Sequence, residues 1–308
     1  MKIVIIGTIN KDIILPFQGS SIQSIGGIYY SMAALSKIAG DKAQIYPISY
    51  LGKDLYDAFI NLLKQYPNIH SEGLVKINQK NHEVLLEYQT EEERIEKAFF
   101  HFPSLEWHHI DKFLEADFYL VNMITGWDIS LNAFNKLSER HYNRIFLDVH
   151  FLMMGLDKLG KRVPRRPKNI LEWIHGARFI QMNEREFEII AKKPMSEITF
   201  FEKFLNPDQV LIITLGSKGS QLLFLKNGVI RKKHFNACKL DRIVDATGCG
   251  DVFGAGFVWK YLETQNLYEA MEFATRAAGA NCLIKGTTEM DKLLSYIESL
   301  KIPEKPHA

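Results

Sequence analysis

The chain is organised around one stretch, Asp245-Ala246-Thr247-Gly248-Cys249-Gly250-Asp251, which leads directly into Val252-Phe253-Gly254-Ala255-Gly256-Phe257. Glycine and small residues leave backbone N–H groups uncovered at the point where an apolar helical pattern begins. Free N–H groups and the helix dipole make such a helix start a favourable site for an anion. Asp251 stands in the first turn of this helix. An acid in that position can take a proton from a nucleophile that attacks a phosphoryl group.

The same stretch also has a structural interpretation, because acids are favoured in the first turn of any helix and glycine-rich turns often precede helices. Its length and spacing favour the functional interpretation. Residues 245–257 resemble the DTxGAGDxFxxG signature of the ribokinase (PfkB) family of sugar and nucleoside kinases. Ala246 and Cys249 depart from the commonest residues of that signature, but both are small and leave the backbone free.

The composition is that of an ordinary globular protein, with 308 residues, 46% of them apolar and 24% charged. This length suits one large α/β domain or two small domains. The net charge of +2 gives no overall basicity for a nucleic-acid partner. Any phosphate or sugar site must therefore be a local feature of the chain.

Cysteine usage and the N-terminal residues bear on location. Cys238, Cys249 and Cys282 form no Cys-x-x-Cys pair, which suits a reducing compartment without a disulfide framework. The run Lys2–Ile6 is too short for a signal peptide and is typical of a buried strand. No apolar run approaches membrane-spanning length. We therefore expect a cytoplasmic protein with no membrane partner.

Short apolar runs alternate with helical patterns from residue 117 onward. This alternation predicts βαβ units and a mostly parallel sheet. The predicted strands lie at 2–6, 45–49, 118–121, 145–147, 179–182 and 210–214. The predicted helices lie at 29–39, 250–262 and 268–283, and Leu51 to Asp54 should open another. Because no repeat or linker divides the chain, we predict a single α/β domain over residues 1–308.

Residues 82–88 and 95–102 predict two strands joined by an acidic turn, a pattern that suits a surface flap. In the PfkB family a small sheet covers the substrate and sometimes pairs subunits. The resemblance therefore implies a ribokinase-like three-layer αβα fold with lid segments at about 11–25 and 80–102. It also implies either a monomer or a homodimer formed through the lid.

Candidate substrate-binding residues follow the first strand. Asn10 and Asp12 come after Gly7, near the carboxyl end of strand 2–6, where open α/β sheets bind ligands. The segment lacks the G-x-G-x-x-G pattern of dinucleotide-binding proteins. The resemblance implies that Asp12 accepts hydrogen bonds from sugar hydroxyls, and capping of a turn is the alternative.

Of the other predicted substrate-binding positions, some match the family pattern and some differ from it. Gly26 and Gly27 match a glycine pair that lets the backbone approach the substrate. Ser31 stands where many members have Asn, and His150 replaces the Asn of a D-x-N-x-R run whose Arg is missing here. The substrate class therefore stays open. The implied substrate-binding residues are Asn10, Asp12, Gly26, Gly27, Ser31, His150 and Asp251.

Two motifs resemble the nucleotide site of the family. Asn183 and Glu186 match its N-x-x-E motif, which helps to hold Mg²⁺ and the phosphates, largely through water; by itself this motif usually only begins a helix. Residues 214–219 match T-L-G-x-x-G, for which a glycine turn between strands is the alternative. The implied ATP-binding residues are Asn183, Glu186, Thr214, Gly216, Ser217, Gly219 and Thr247. Many members also hold a monovalent cation beside the anion-binding loop at residues 245–251, and the sequence leaves that open.

A basic segment stands apart from these motifs. Six cations fall within residues 158–168, namely Lys158, Lys161, Arg162, Arg165, Arg166 and Lys168. Arginine side chains bind phosphate or carboxylate oxygens in a bidentate manner. One hypothesis is that this segment holds an anionic substrate or closes over nucleotide phosphates. The other is a solvated surface loop.

Together these features predict a Mg-ATP-dependent phosphotransferase with an alcohol acceptor, a PfkB-type carbohydrate kinase for a sugar or sugar-like molecule. Asp251 would accept the hydroxyl proton, and the amides of Gly248, Cys249 and Gly250 would hold the γ-phosphoryl charge. The alternatives are a nucleoside or hydroxymethyl-heterocycle kinase of the same fold, and a nucleotide-binding protein without turnover. Asp251 argues against the last of these, because a protein that only binds needs no base.

Overall fold

The computed structural model describes residues 1–90, 94–192 and 194–303, and strands and helices alternate along most of this length. The strands are β1 (Lys2–Ile6), β2 (Ile9–Leu15), β3 (Ile22–Gly27), β4 (Gln44–Gly52), β5 (Leu74–Ile77), β6 (Glu83–Tyr88), β7 (Arg94–Phe99), β8 (Phe118–Asn122), β9 (Ile145–Asp148), β10 (Met154–Leu156), β11 (Arg162–Pro164), β12 (Phe179–Asn183), β13 (Val210–Thr214), β14 (Ser220–Lys226) and β15 (Val229–Phe235). The α-helices are α1 (Tyr29–Ala39), α2 (Tyr56–Leu63), α3 (Trp107–Ile110), α4 (Leu131–His141), α5 (Ile170–His175), α6 (Glu184–Ala191), α7 (Glu197–Phe204), α8 (Cys249–Thr264), α9 (Leu267–Asn281) and α10 (Leu293–Ser299).

A nine-stranded sheet forms the centre of the fold, in the order β15-β14-β13-β12-β9-β8-β1-β4-β5. The strands from β13 to β5 in this order are parallel, whereas β14 and β15 are antiparallel at one edge. Alternate residues of β1 enter two separate apolar cores. Ile3 packs in the core that contains Phe257 of α8, and Val4 in the core that contains Phe134 of α4. The predicted αβα arrangement with a mostly parallel sheet is therefore confirmed.

A four-stranded sheet, here called the lid sheet, pairs its strands in the order β3-β2-β6-β7. The central contact is parallel, between residues 11–15 of β2 and residues 83–87 of β6, and it joins the two segments predicted as a lid. The outer pairs are antiparallel. The three glutamates of the acidic turn predicted between β6 and β7, residues 91–93, lie outside the described residues.

The basic segment forms part of a short antiparallel ribbon, β10–β11, that adjoins the edge of the lid sheet. The N–H of Ala98 on β7 donates to the carbonyl of Gly160, 2.9 Å away. The guanidinium of Arg162 lies 3.5 Å from the ring centre of Phe151 and 3.5 Å from the carboxylate of Glu96. The side chain of Arg166 donates to the carbonyl of Ile190. At least two of the six cationic side chains therefore make contacts within the protein.

One predicted helix start is wrong. Leu51 and Gly52 continue β4, and α2 begins only at Tyr56. The N–H of Gly52 donates to Asn81 Oδ1 at 2.9 Å, and a Cβ on Gly52 would lie 2.1 Å from the nitrogen of Asn81. This contact between distant segments keeps the chain extended. No helix in the ranges that the structure describes is long and apolar enough to cross a membrane.

Candidate active site

The glycine loop, residues 245–250, leads into α8 through a backbone that only glycine adopts easily. Gly248 has φ +76°, and a Cβ there would lie 2.2 Å from the ring of Tyr30. Among the described residues, no hydrogen-bond acceptor is found for the N–H groups of Gly248 and Gly250. The N–H of Cys249 makes only a long bond of 3.4 Å to the carbonyl of Ala246. The loop therefore presents free donors at a helix start, as an anion site requires.

Asp251, in the first turn of α8, is 9% exposed. Its Oδ1 accepts a hydrogen bond from the side-chain amide of Asn122, at the end of β8. Burial raises the pKa of Asp251 to about 7; the Asn122 bond opposes this rise and the charge of Asp12 adds to it. A carboxyl group with this pKa can accept a proton near neutral pH.

Asn122 is therefore expected to tune the base. Asn122→Ala removes a hydrogen bond that favours the ionised form of Asp251, so the pKa of Asp251 should rise further. Once the substrate is known, the acidic limb of the pH profile of kcat/KM should move to higher pH. A limb that stays at the wild-type position, in a variant that unfolds at the wild-type temperature, would contradict this role.

Asp12 lies close enough to Asp251 for its charge to raise the pKa of Asp251, and Gly26 makes room for the Asp12 side chain. Asp12 is 6% exposed, and a Cβ on Gly26 would lie 1.9 Å from its Oδ2. Gly27 has φ +64°, and a Cβ there would lie 2.1 Å from the carbonyl of Thr8. Both glycines are thus required by close approach, Gly26 to the carboxylate of Asp12 and Gly27 to the backbone of Thr8.

Two buried side-chain oxygens without a hydrogen-bond partner among the described residues belong to neighbours of the two carboxylates. They are Oδ1 of Asn10, two residues before Asp12, and Oδ1 of Asn122, whose amide donates to Asp251. Other such atoms lie on His82, Arg178, Gln181, Gln221 and Arg276. Since buried polar groups are normally paired, the oxygens of Asn10 and Asn122 indicate a place for a hydroxyl-bearing ligand. Among these residues, only Asn10 was predicted from the sequence to be a site residue. The position of Asn122 after a predicted parallel strand was a usable signal, whereas nothing in the sequence marked His82.

Ser31 and His150, predicted as substrate contacts, have different surroundings. Ser31 is fully buried, and its hydroxyl donates to the carbonyl oxygen of Asp251 at 3.3 Å. His150 lies just after β9 with φ +33°, and its ring contacts Phe151. Burial and the neighbouring Arg162 lower the pKa of His150 to about 3, so the ring is neutral. Ser31 therefore contacts the backbone of the candidate base, whereas the ring of His150 packs against Phe151.

Asn183 and Glu186 begin α6 with reciprocal hydrogen bonds. The N–H of Glu186 donates to Asn183 Oδ1 at 2.9 Å, and the N–H of Asn183 donates to Glu186 Oε2 at 2.8 Å. The side-chain amide of Asn183 occupies the other Glu186 oxygen at 2.7 Å. The structural interpretation of N-x-x-E as a helix start is thus correct, and it leaves a metal role through water open.

Three acidic side chains near the glycine loop, those of Asp148, Glu186 and Asp251, lie close enough to interact electrostatically. Burial raises the pKa of Glu186 to about 7, and the pKa of Asp148 is well above its ordinary value because of burial and the charges of Glu186 and Asp251. Gln181 links this group to the loop by donating to Asp148 at 2.8 Å and to the carbonyl of Gly250 at 3.0 Å. Such a group favours a cation nearby.

The residues at this site fit Mg²⁺ that is bound through water rather than by direct coordination. The described part of the chain contains no cluster of three His, Cys, Asp or Glu side chains that could hold a metal. Both Glu186 oxygens already accept hydrogen bonds from Asn183. These residues therefore suit an ion that keeps most of its water, as Mg²⁺ does beside nucleotide phosphates.

The segment 214–219 is a tight turn between β13 and the antiparallel β14. Gly216 and Gly219 have φ +59° and +98°, and the N–H of Leu215 donates to the carbonyl of Gly219 at 2.8 Å. This is the glycine turn of the structural alternative. On the glycine loop, the carbonyl of Thr247 accepts a hydrogen bond from Asn281 at 2.8 Å, which ties the loop to α9.

A cavity of about 460 Å³ separates the lid sheet from the glycine loop. Ile14, Ile22 and Tyr88 line it from the lid sheet, and Tyr30 and Thr247 from the opposite side. Ser24, another lining residue, is paired in the sheet with Asp12. The cavity therefore adjoins the space between Asp12 and Asp251, and its walls are mostly apolar.

The fold and the glycine loop at the start of α8 are features that an α/β phosphotransferase would need. A sequence model of pfkB family carbohydrate kinases matches residues 23–293. The chain belongs to this family, as the sequence resemblance predicted.

Individual relatives are more distant. A nucleoside kinase of Methanocaldococcus jannaschii is 33% identical over 109 residues, which take in 35% of this chain and 34% of that protein, so the alignment spans about a third of the relative. The ribokinase structure from Thermotoga maritima has a TM-score of 0.76 at 20% identity, covering 96% of this chain and 98% of that one. A pyrophosphate-dependent kinase in the ribokinase family, complexed with a pyrophosphate analog and myo-inositol, has a TM-score of 0.75 at 15% identity over 96% and 100% of the two chains. These structural likenesses show the fold.

Proposed function

We propose that this chain is a Mg-ATP-dependent kinase that transfers the γ-phosphoryl group to a hydroxyl of a sugar or sugar-like small molecule. The observation that carries the proposal is the buried Asp251, with its pKa raised to about 7, beside the N–H groups of Gly248 and Gly250, which have no acceptor among the described residues. Family membership supports phosphoryl transfer, and the oxygens of Asn10 and Asn122 that lack a partner in the described part of the chain support a hydroxylated acceptor.

In this mechanism Asp12 and Asn10 hold hydroxyls of the acceptor, and Asp251 takes the proton of the attacking hydroxyl. The N–H groups of the glycine loop stabilise the charge on the transferred group. One such donor contributes about 3–4 kcal/mol and a positioned base about 10²–10⁴-fold, which suits a reaction that depends on positioning and electrostatics. Mg²⁺, when bound, would offset the phosphate charge, and Asn183 and Glu186 would hold it through water.

At pH 8, above the raised pKa of Glu186, Glu186→Gln should raise the Mg²⁺ concentration needed for half-maximal rate, because it removes the charge that attracts the hydrated ion. The glutamine oxygen can still accept a hydrogen bond from Asn183, so the helix start should survive. Glu188→Gln, later on the same helix, is the matched control for loss of one negative charge. An unchanged Mg²⁺ dependence in Glu186→Gln would leave Asn183 and Glu186 as a helix start only.

The test of the proposal is a screen for acceptor-stimulated ADP release, with sugars, sugar phosphates, polyols and nucleosides in separate arms. A kinase shows slow ATP hydrolysis that one class of acceptor stimulates, whereas a binding protein gives a flat response throughout. Because a structural neighbour is pyrophosphate-dependent, each acceptor is also offered pyrophosphate as the donor. Stimulation by pyrophosphate and not by ATP would overturn the assignment of ATP.

A nucleoside kinase is the second candidate, and the apolar cavity beside Asp12 favours it. Its walls of Ile14, Ile22, Tyr88 and Tyr30 suit a flat heterocycle joined to a ribose whose hydroxyls reach Asp12. The partial match to a nucleoside kinase points the same way. A kcat/KM for nucleosides at least ~10-fold above that for free sugars would select this function.

A further inference from the structure

Two cysteines meet where α8 begins and α9 ends. The sulfurs of Cys249, the first residue of α8, and Cys282, just after α9, are 3.1 Å apart. This separation is about 1 Å longer than a disulfide bond. Both residues are partly exposed. Asn281 holds Cys249 in place by donating to its sulfur at 3.3 Å.

We propose that Cys249 and Cys282 form a reversible disulfide, with a peroxide as oxidant, and that this bond switches off the glycine loop. Formation of the bond depends only on the thiols and their positions. The effect on activity rests on the proposed kinase function. The two parts are therefore measured separately.

The chemistry balances with hydrogen peroxide as the oxidant. The Cys282 thiolate attacks one peroxide oxygen, the O–O bond breaks, and the departing hydroxide is protonated to water. The Cys249 sulfur then attacks the sulfenic sulfur of Cys282, the S–O bond breaks, and a second water leaves. Each cysteine sulfur loses one electron and the peroxide gains two. A dithiol reductant reverses the reaction. The hydrogen bond from Cys249 lowers the pKa of the Cys282 thiol, which favours the first attack.

The disulfide would disturb the glycine loop because Cys249 belongs to that loop and Cys282 is hydrogen-bonded to the residue before it. The carbonyl of Cys282 accepts a hydrogen bond from the N–H of Val244 at 2.7 Å, just before the glycine loop, and Cys249 lies one residue before Gly250. Drawing the sulfurs together by about 1 Å shifts the loop amides relative to Asp251. Misplacement on this scale can cost about 10²-fold in rate. We expect a loss of at least ~10-fold in kcat.

The third cysteine supplies a matched control. Cys238 is buried, and burial raises the pKa of its thiol to about 11. Its thiol donates to the carbonyl of Thr275, 3.8 Å away, rather than contacting another cysteine sulfur. Cys238→Ala therefore removes one thiol and leaves the proposed pair intact, whereas Cys282→Ser removes the pair without changing any residue of the glycine loop.

The bond is tested by titrating the reduced full-length protein with hydrogen peroxide, blocking free thiols and mapping peptides by mass spectrometry. The expected product links Cys249 to Cys282 in the wild type and in Cys238→Ala, is absent from Cys282→Ser, and disappears with dithiothreitol. A link that involves Cys238, sulfenic or sulfinic acids without a link, or three unmodified thiols would each overturn the proposal.

The switch is tested on the same samples by kinase rate. Wild type and Cys238→Ala should lose activity at least ~10-fold and regain it with dithiothreitol, while Cys282→Ser keeps its basal rate in peroxide. A mapped disulfide with an unchanged rate would overturn the switch. If no acceptor supports turnover in any sample, the proposed kinase function fails, and the mapping still decides the bond.

Discussion

Asp251→Asn is expected to lower kcat by at least ~10²-fold while ATP affinity stays within a few fold of the wild type. The substitution keeps the size of the side chain and an oxygen for Asn122, and it removes the ability to accept a proton. Rate loss without loss of ground-state binding is typical of an interaction made only in the transition state. Turnover near the wild-type rate would remove Asp251 from the mechanism.

The same variant has a second readout that separates loss of the base from misfolding. The pKa of Asp251 is about 7 in the folded chain against an ordinary 3.8, so between these values the folded state binds more protons than the unfolded state. Stability contributed by this group is therefore lost as pH rises from about 4 to about 7. Asp251→Asn removes that loss, and its unfolding free energy should exceed the wild-type value at pH 8 by up to about 4 kcal/mol. Denaturant unfolding at pH 5 and pH 8 measures the difference.

Gly248→Ala is expected to cost at least ~10²-fold in kcat and to lower the unfolding temperature. The new methyl group would lie 2.2 Å from the Tyr30 ring, at a backbone angle of φ +76° that residues with a side chain rarely adopt. Either Tyr30 or the loop must move, and movement of the loop displaces the N–H groups that face the phosphoryl charge.

Gly40→Ala is the matched control for backbone strain. Gly40 follows α1 with φ +55°, and a Cβ there has no neighbour within 4 Å. This variant should lose about 1 kcal/mol of stability and keep its kcat. If Gly248→Ala also keeps its kcat, catalysis does not depend on the conformation of the glycine loop. That result would contradict the proposed anion site.

Much of the regular structure could be predicted because its signals are local. The apolar run of β1 and the helical pattern of α1 were predicted with the bounds that the structure has, Lys2–Ile6 and Tyr29–Ala39. The boundary after β4 was wrong because its cause is not local. Gly52 stays extended through a hydrogen bond to Asn81, 29 residues further along the chain.

The candidate site likewise has some residues that local sequence signals predict and others that depend on contacts between distant segments. The motif around Asp251 and the glycine pair before α1 were visible in the sequence, because glycine reports a backbone requirement at its own position. Asn122 could have been suspected from its place after a strand, but its bond to Asp251 joins residues 129 apart. The contact of Cys249 with Cys282 likewise needed the packing of α8 against α9.

The sequence by itself determined the class of fold, the family and the candidate base, since periodicity, turn chemistry and a long motif are properties of neighbouring residues. Only the tertiary structure decided what surrounds that base: the amide of Asn122, the facing Asp12, the ring of Tyr30 under Gly248 and the paired sulfurs. These contacts depend on which strands are neighbours in the sheet and how closely two helices pack. The strand order and the interhelical distance follow from the burial of the whole core, which no local pattern encodes.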